Sequence, residues 1–527
     1  MSKLYESGRS LHDKFLSGIN ILADNVGSTL GPRGRNVIIL TEDNPIPLIT
    51  KDGVTVARHV ESDDPAEKAA IEIIRQAAIQ TCDDAGDGTT TSTILSRAIF
   101  TKAQEYLAAG IAPIEIKRGI DKAVTEVVRQ LESVATPIRS EEDIAQIATI
   151  SANGDKTIGS LIARAVDLAG KDGAITVEEA RAVETSLDVV EGFRFGSGWA
   201  ASAFVTDERR GTAKYEEPLI LVTDHKLSTI DGFMPILELV AREGKPLIVV
   251  ADEIEGQLLA ALIMNAMRGT LKVVGVKAPY YGEERRNLLS DLAVATGATF
   301  VSKQSGMKFA EVKLNDFGKA KSVEISKKET CFVGGAGVAE DIEVKIDSLK
   351  AMIQMTDSLT QAEAYQNRIT RLSSGIAIIK VGGSTEPEMI ERRDRIEDAL
   401  EAAKAAQDAG IVAGGGVSLL RAVQGIEVDI DNPEQEYGVN IIKSCVEEPI
   451  RQMARNAEDS EDLILSRILQ SDDADVGWNF STGELVNLRE AGVIDPVKVC
   501  AAALINAASV AGTLLTTNNA VLFTKKD

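Results

Sequence analysis

The run Gly86-Asp87-Gly88-Thr89-Thr90-Thr91 packs three kinds of chemistry into six residues. Glycines admit a close backbone approach, and the free N–H groups of a helix start, with the helix dipole behind them, suit a phosphate. The threonine hydroxyls add donors, and Asp87 has the charge to hold Mg²⁺ against phosphate oxygens. The same residues also describe a tight turn with Asp and Thr capping a helix, and spacing alone leaves both readings open. Leu30-Gly31-Pro32-Arg33-Gly34-Arg35 is open in the same way, as a phosphate-wrapping loop or as a helix C-cap and turn. Ala413-Gly414-Gly415-Gly416 allows either a close approach to a ligand or a hinge. Asp398 lies in the helix-like run Glu391–Ala406, whose apolar face is Ile396, Leu400 and Ala403. Asp398 projects to the other side, the ordinary position of a solvated carboxylate.

Other chemistries are excluded. No GxxxxGK[ST] occurs, so this is not a P-loop protein. The only histidines are His12, His59 and His225, which leaves little room for a Ser-His-Asp or Cys-His site, and no HExxH occurs. The cysteines, at 82, 331, 445 and 500, form no CxxC, which excludes a zinc ribbon and a thioredoxin-like centre; thiols this sparse fit a reducing compartment. The 527 residues carry a net charge of −23, so nucleic acid and anionic membrane are not expected partners. Aromatic residues are only 4%, too few for base-stacking platforms. The first residues, MSKLYESGRS, lack a signal core, and the nearest approach to a membrane span, Cys500–Leu515, is Ala-rich and broken by Asn506 and Ser509. It reads as a buried helix in a cytoplasmic protein.

Elements that would position these residues are legible from periodicity. Leu11, Phe15, Ile19, Leu22, Val26 and Leu30 make one helix face, stopped by Gly31 and Pro32. A second helix starts at the cap Asp64, with Pro65 in the first position and Glu67 completing a capping box, and runs to about Thr81. A third follows Gly88 and stops at Gly110; a fourth runs from Pro113 to before Pro137. Strands are expected at Asn36–Leu40 and Pro47–Thr50. From about 191 to 373, apolar runs at Pro218–Thr223, Pro246–Ala251, Leu271–Val276 and Ala298–Ser302 alternate with helical segments such as Met234–Ala241, predicting an α/β layer. The chain then turns helical again. Within the α/β part, Ile254–Arg268 spreads its Ile, Leu and Met residues, Met267 included, over far more of the helical wheel than one core-facing stripe needs. Either the helix is buried on all sides or one arc is left to catch apolar partners.

Taken together, LGPRGRNV (30–37), ITKDGVTVAR (49–58), AGDGTTTST (85–93), TISANGD (149–155), DVVEGF (188–193), VKAP (276–279), IEDALEAAKAA (396–406), AGGGV (413–417), IDPVKV (494–499) and SVAGTLLTT (509–517) resemble the sequence blocks of the group I chaperonins, the bacterial GroEL type, in family order along the whole chain. The resemblance implies a multidomain α and α/β chaperonin fold. A helical equatorial domain would comprise 1–135 and 409–527. A small intermediate hinge domain would comprise 136–190 and 374–408, and an α/β apical domain 191–373. It further implies seven-membered homo-oligomeric rings, one or two of them, that hydrolyse ATP with Mg²⁺ and enclose non-native client proteins. K⁺ is the further cation the resemblance admits, and a GroES-type co-chaperonin the further partner.

Carried over residue by residue, the resemblance assigns Thr29, Leu30, Gly31 and Pro32 to a loop packing on nucleotide and Lys51 to its phosphate side. Asp87 would bind Mg²⁺, and Gly88, Thr89, Thr90 and Thr91 would cradle phosphates. Ile150, Gly414 and Gly415 would line the pocket, with Asn479, Val493 and Asp495 around base and ribose. Asp398 would swing in to orient the attacking water, with Asp52 as the second carboxylate near the γ-phosphate. Client and co-chaperonin contacts would be Trp199, Ala201, Ala203, Phe204, Met234, Leu237, Leu259, Ile263 and Met264. Departures from the pattern are Trp199-Ala200-Ala201-Ser202-Ala203-Phe204 in place of Tyr-x-Ser-x-Tyr-Phe, Ser197 in place of an arginine whose partner position holds Glu386, the lack of a Gly-Gly-Met tail, and a poor match over 425–475. They fit a bacteriophage or other unusual bacterial-type source acting in a bacterial cytoplasm. They also keep open a passive holdase or scaffold that binds unfolded chains without cycling.

Overall fold

The computed structural model describes residues 2–524 apart from 42–43, 139, 153, 170–173, 181, 208–209, 357 and 374. Position 374, where the second intermediate segment was expected to begin, and Asn153 of the TISANGD run lie outside the described residues. The chain forms two compact units. One comprises 1–164, 179–184 and 381–527; the other comprises 165–178 and 185–380.

The first unit is built around long helices. Gly8–Gly27, Pro65–Ala85, Thr89–Ala108, Pro113–Ser133, Gln435–Cys445 and Val497–Leu515 bury a shared core that includes Phe15, Leu22, Ile74, Phe100, Ile120, Ile442 and Leu504. Val497–Leu515 is long and apolar enough to cross a membrane, yet most of it is buried. Five of its six alanines, Ala501, Ala503, Ala507, Ala508 and Ala511, lie in the interior, and small side chains let the Pro65, Thr89 and Pro113 helices approach it closely. The expected starts at Pro65 and Pro113 are observed, and Gly88 stands directly before the third helix. The first helix ends at Gly27, earlier than expected, because Thr29 and Leu30 turn off it through N–H bonds to the Val26 and Gly27 carbonyls. Asp64 caps the Pro65 helix, but Glu67 closes no capping box. Its carboxylate accepts instead from Ser17 Oγ (2.8 Å) and Ser62 Oγ (2.5 Å), so it joins two helices rather than trimming one.

Four small antiparallel ribbons complete this unit among the described residues: Ser2–Ser7 with Asn519–Thr524, the hairpin Val37–Thr41 with Asn44–Thr50, Ile411–Ala413 with Ile494–Pro496, and Val476–Asn479 with Glu484–Asn487. Tyr5, Ile38, Leu40, Ile49, Val521 and Phe523 on these ribbons are exposed.

The second unit is a nine-stranded mixed sheet among the described residues, flanked by helices. Val273–Lys277, Leu247–Ala251 and Leu219–Val222 run parallel, the arrangement expected of β-α-β connections. Gly318–Ile325, Thr330–Gly335, Ser186–Phe195 and Gly375–Val381 continue the sheet antiparallel. Ala298–Ser302, expected as a strand, is not one. Only a single bridge, Thr223 to Val301, joins it to the sheet. Ile254 belongs to a two-residue strand with Glu253, so the apolar helix is Gly256–Met267.

Candidate functional site

Within the first unit, the Gly86–Thr91 turn is held from several sides. Gly86 takes φ 74° as the C-cap of the Pro65 helix and Gly88 takes φ 88° as the N-cap of the Thr89 helix, left-handed positions that favour glycine. A Cβ on Gly86 would lie 2.2 Å from Glu401 Cβ, so the turn runs flush against the helix Glu386–Ala409 that carries Asp398. A Cβ on Gly53 would lie 2.3 Å from Thr90 Oγ1 and 2.9 Å from Thr89 Oγ1. The start of the short Gly53–His59 helix therefore abuts the start of the Thr89 helix. Asp52 caps it, accepting from Val54 N (3.1 Å) and Thr55 N (2.8 Å). Thr29 Oγ1 stands 3.4 Å from Thr90 Oγ1, and Lys51 Nζ donates to Gly31 O at 3.0 Å. Pro32 is exposed, and Thr91 is half-buried in the first turn of its helix.

Asp87 accepts from Gly88 N–H (2.5 Å) through Oδ1 and from Ser151 Oγ (3.1 Å) through Oδ2. Ile150, beside Ser151, packs with Ile147, Ala402, Ala406, Ile411 and Ile494. A Cβ on Gly414 would come within 3.0 Å of Asp495 Oδ1, and Gly415 has φ 63°. Val493 and Leu30 border an apolar cluster of Val417, Trp478, Phe480 and Leu488, and Asn479 follows Trp478 directly. The crevice therefore has an apolar end, suited to a planar base, and a polar end at the Thr89 helix start, suited to phosphates.

Its carboxylates are crowded. Asp87, Asp398 and Asp495 each keep some accessible surface but are encircled by protein. Burial, followed by the charges of Asp52, Asp87, Asp394 and Glu401, holds the Asp398 carboxyl well above the usual range. Burial raises Asp87, partly offset by its Gly88 and Ser151 donors. Burial raises Asp495 to about 7, aided by Asp87 and opposed by the Gly415 N–H. Such a cluster, with ionised forms penalised, is what a site for a cation and a polyphosphate looks like before they neutralise it. Asp398 is thus not the solvated side chain its helix periodicity suggested. Two further residues belong to this crevice and were not singled out from the sequence. Ser151 falls inside the TISANGD run, and Arg395 stands one helical turn before Asp398.

In the second unit the nine surface candidates separate. Met234 and Met264 (50% exposed) are open, Ala203 is exposed, and Trp199, Ala201, Leu259 and Ile263 are half-buried. Phe204 (1%) and Leu237 (7%) are core residues and present nothing to a partner, a correction to the expectation for both. The 201–205 segment turns the Phe204 ring inward, and Leu237 lies on the inner side of the Met234–Glu243 helix. The Gly256–Met267 helix buries Leu258 and Leu262 and exposes Met264 and Met267 (74%), so the extra apolar width is an exposed arc rather than burial all round.

The profile of the TCP-1/cpn60 chaperonin family matches residues 22–525. The chain belongs to that family. Among solved structures it resembles the chaperonin gp146 from bacteriophage EL 2 (Pseudomonas aeruginosa), solved in two crystal forms in the presence of ATP-BeFx. Identity is 23% in both. Form II gives a TM-score of 0.70, covering 99% of this chain and 100% of that one. Form I gives 0.64, covering 99% of each. The likeness runs along the whole length, so this chaperonin has the complete chaperonin fold, α and α/β parts together.

Proposed function

We propose that this chaperonin binds and hydrolyses ATP and couples the cycle to capture, enclosure and release of non-native proteins inside a ring of identical subunits. One observation carries the reading. The helix Glu386–Ala409 seats Asp398 in the same crevice as Asp52 and Asp87, at the N-terminus of the Thr89 helix.

In this reading the bases and ribose lie between Gly414–Gly415 and Asn479, Val493 and Asp495. The N–H groups of Gly88–Thr91, the Thr29–Pro32 turn and Lys51 hold the phosphates. No group of three or more His, Cys, Asp or Glu among the described residues is arranged to cage a metal. That fits Mg²⁺, which takes one or two carboxylates and completes its shell with phosphate oxygens and water. Asp87 would hold it, and bound there it would neutralise phosphate charge. Asp398, with its raised proton affinity, orients the attacking water and takes up its proton, and Asp52 supports it. K⁺ would be a second charge-neutralising cation. The 136–190 and 374–408 segments would act as the hinge between equatorial and apical domains, making hydrolysis wait for closure.

The exposed arc of Met264 and Met267, with Met234, would take up clients by burying apolar surface, at about 25 cal/mol per Å² and without sequence preference. The open-edged ribbons with their exposed Ile38, Leu40, Ile49, Val521 and Phe523 suit pairing between copies, which supports a homo-oligomer. The assembly of this reading is a ring of seven, single or double, in the cytoplasm. A GroES-type lid would use the same apical arc.

The test is Asp398→Ala. ATP binding should persist while turnover falls by about two orders of magnitude or more. An unchanged turnover would overturn the assigned role. Refolding of a denatured enzyme that is equal with and without ATP, with aggregation suppressed, would favour the passive holdase.

A further inference from the structure

We infer that Arg395 is a second residue that the Glu386–Ala409 helix brings to the terminal phosphate, where its guanidinium shares the phosphate charge with Lys51. The inference deepens the ATPase reading above and rests on it. Arg395 precedes Asp398 by three residues on one helix, and such neighbours share a face. That helix also packs against the strand Asn44–Thr50, which leads directly into Lys51 and Asp52.

The guanidinium is only partly spoken for. Nη2 lies 2.7 Å from Glu391 Oε2 and Nη1 lies 3.7 Å from Asp155 Oδ2. Nε is buried and has no hydrogen-bond partner among the described residues. A buried donor on a charged group, left without an acceptor, is a marked liability in a folded protein. An anion in the crevice would remove it.

The neighbouring charges point the same way. Lys51 is half-buried, and burial, followed by the like charge of Arg395, pulls its ammonium below the usual lysine range. Two cations close enough to repel one another gain most when an anion comes between them. The crevice carboxylates do not play that part. The charges acting most strongly on Asp398 are all negative, from Asp52, Asp87, Asp394 and Glu401. In this arrangement Asp398, Asp52 and Asp87 would serve metal and water, and Lys51 and Arg395 would serve phosphate. Because Arg395 rides on the same helix as Asp398, charge neutralisation and water orientation would arrive together.

The experiment compares wild type with Arg395→Met, which keeps the long apolar stem, and with Arg395→Lys. Affinities for ATP and ADP are measured by displacement of a fluorescent nucleotide, alongside steady-state turnover. Loss of one charge-assisted contact predicts that Arg395→Met weakens ATP by about tenfold or more relative to ADP. Turnover should fall with it, and Arg395→Lys should recover part of both. Asp155→Asn, which removes the outer ion-pair partner, should leave the ATP/ADP ratio near wild type. Equal ATP/ADP ratios in wild type and Arg395→Met, in a protein whose turnover still depends on Asp398, would overturn the inference and leave the ATPase reading standing. The same loss in Asp155→Asn as in Arg395→Met would also overturn it, by assigning the effect to the ion pair. Absence of Asp398-dependent turnover in wild type would instead sink the parent reading. If Arg395→Met does not fold, the Arg395→Lys ratio decides.

Discussion

Ser151 Oγ donates to Asp87 Oδ2 across 3.1 Å, tying the end of the Glu141–Ser151 helix to the Gly86–Thr91 turn. Asp87 sits where burial opposes its ionisation, and its two donors, Gly88 N–H and the Ser151 hydroxyl, hold the ionised form against that burial. Removing the hydroxyl with Ser151→Ala therefore raises the proton affinity of Asp87 further. A carboxyl that is harder to ionise competes less well for a cation. The expected outcome is a several-fold higher Mg²⁺ concentration for half-maximal ATPase, with near-normal turnover at saturating Mg²⁺. A Mg²⁺ titration of turnover at pH 7 checks it, and an unshifted midpoint would count against a metal role for Asp87.

Asp495 gives a pH prediction for the nucleotide-free protein. Its carboxyl is raised to about 7 in the fold, from 3.8 as the reference. A carboxyl raised on folding binds its proton more tightly in the native state. Its contribution to stability is fully present below about pH 4, declines as pH rises, and is gone once pH passes about 7. At about 1.4 kcal/mol per pH unit the ceiling of this contribution is about 4 kcal/mol, and the crevice's remaining access to water lowers it. Asp495→Asn keeps an acceptor for the Gly415 N–H and removes the charge. The variant should gain Tm over wild type progressively between about pH 4 and 7 and show no further gain above. Thermal melts across that range decide it, and a gain that is flat with pH would refute it.

How much of this was legible in sequence depends on whether the cause was local. Pro65 and Pro113 mark helix starts by their fixed φ, Gly88 and Gly110 mark helix ends by their freedom to take positive φ, and the structure puts the ends at or beside those residues. Glu67 has the right spacing for a capping box, yet Ser17, fifty residues away, offers a better partner. Asp398 is the clearest case of a non-local cause. Its own helix supplies only the weaker charges of Asp394 and Glu401; burial comes first, and the larger charges, Asp52 and Asp87, belong to other elements. Only the resemblance of whole blocks singled it out. That same resemblance carried Phe204 and Leu237 to the surface, since a motif match conveys position in the chain and not which way a ring turns.

In the second unit, Arg368 grips Asp291 with two bonds, Nε to Oδ2 at 2.7 Å and Nη2 to Oδ1 at 2.8 Å, and Asp291 is wholly inaccessible to solvent. Lys345 stands 3.9 Å away, too far to replace it. Truncating one partner of a buried pair leaves an uncompensated charge, typically at about 3–5 kcal/mol. Arg368→Met should therefore lower the unfolding temperature by several degrees. The double variant Arg368→Met with Asp291→Leu should recover most of the loss, because two apolar side chains can fill the same space. Calorimetry of both variants tests this, and a double variant no better than the single one would show that packing rather than charge is at stake.

The exposed methionines of the Gly256–Met267 helix allow capture to be separated from the nucleotide cycle. Met264 and Met267 stand clear of the core that Leu258 and Leu262 complete, so changing them leaves that core intact. A methionine side chain buried on a client is worth about 2 kcal/mol of apolar transfer. Replacing both with glutamine keeps length and flexibility and removes most of that gain. Affinity for an unfolded protein should fall by about two orders of magnitude if one client segment covers both residues at once. The basal ATPase should be unchanged, because neither residue belongs to the crevice. Binding is read by fluorescence anisotropy of a labelled, denatured client. Loss of both capture and basal turnover would mean the substitutions had damaged the fold. Undiminished capture would place the client surface elsewhere, with the half-buried Leu259 and Ile263 the next residues to change.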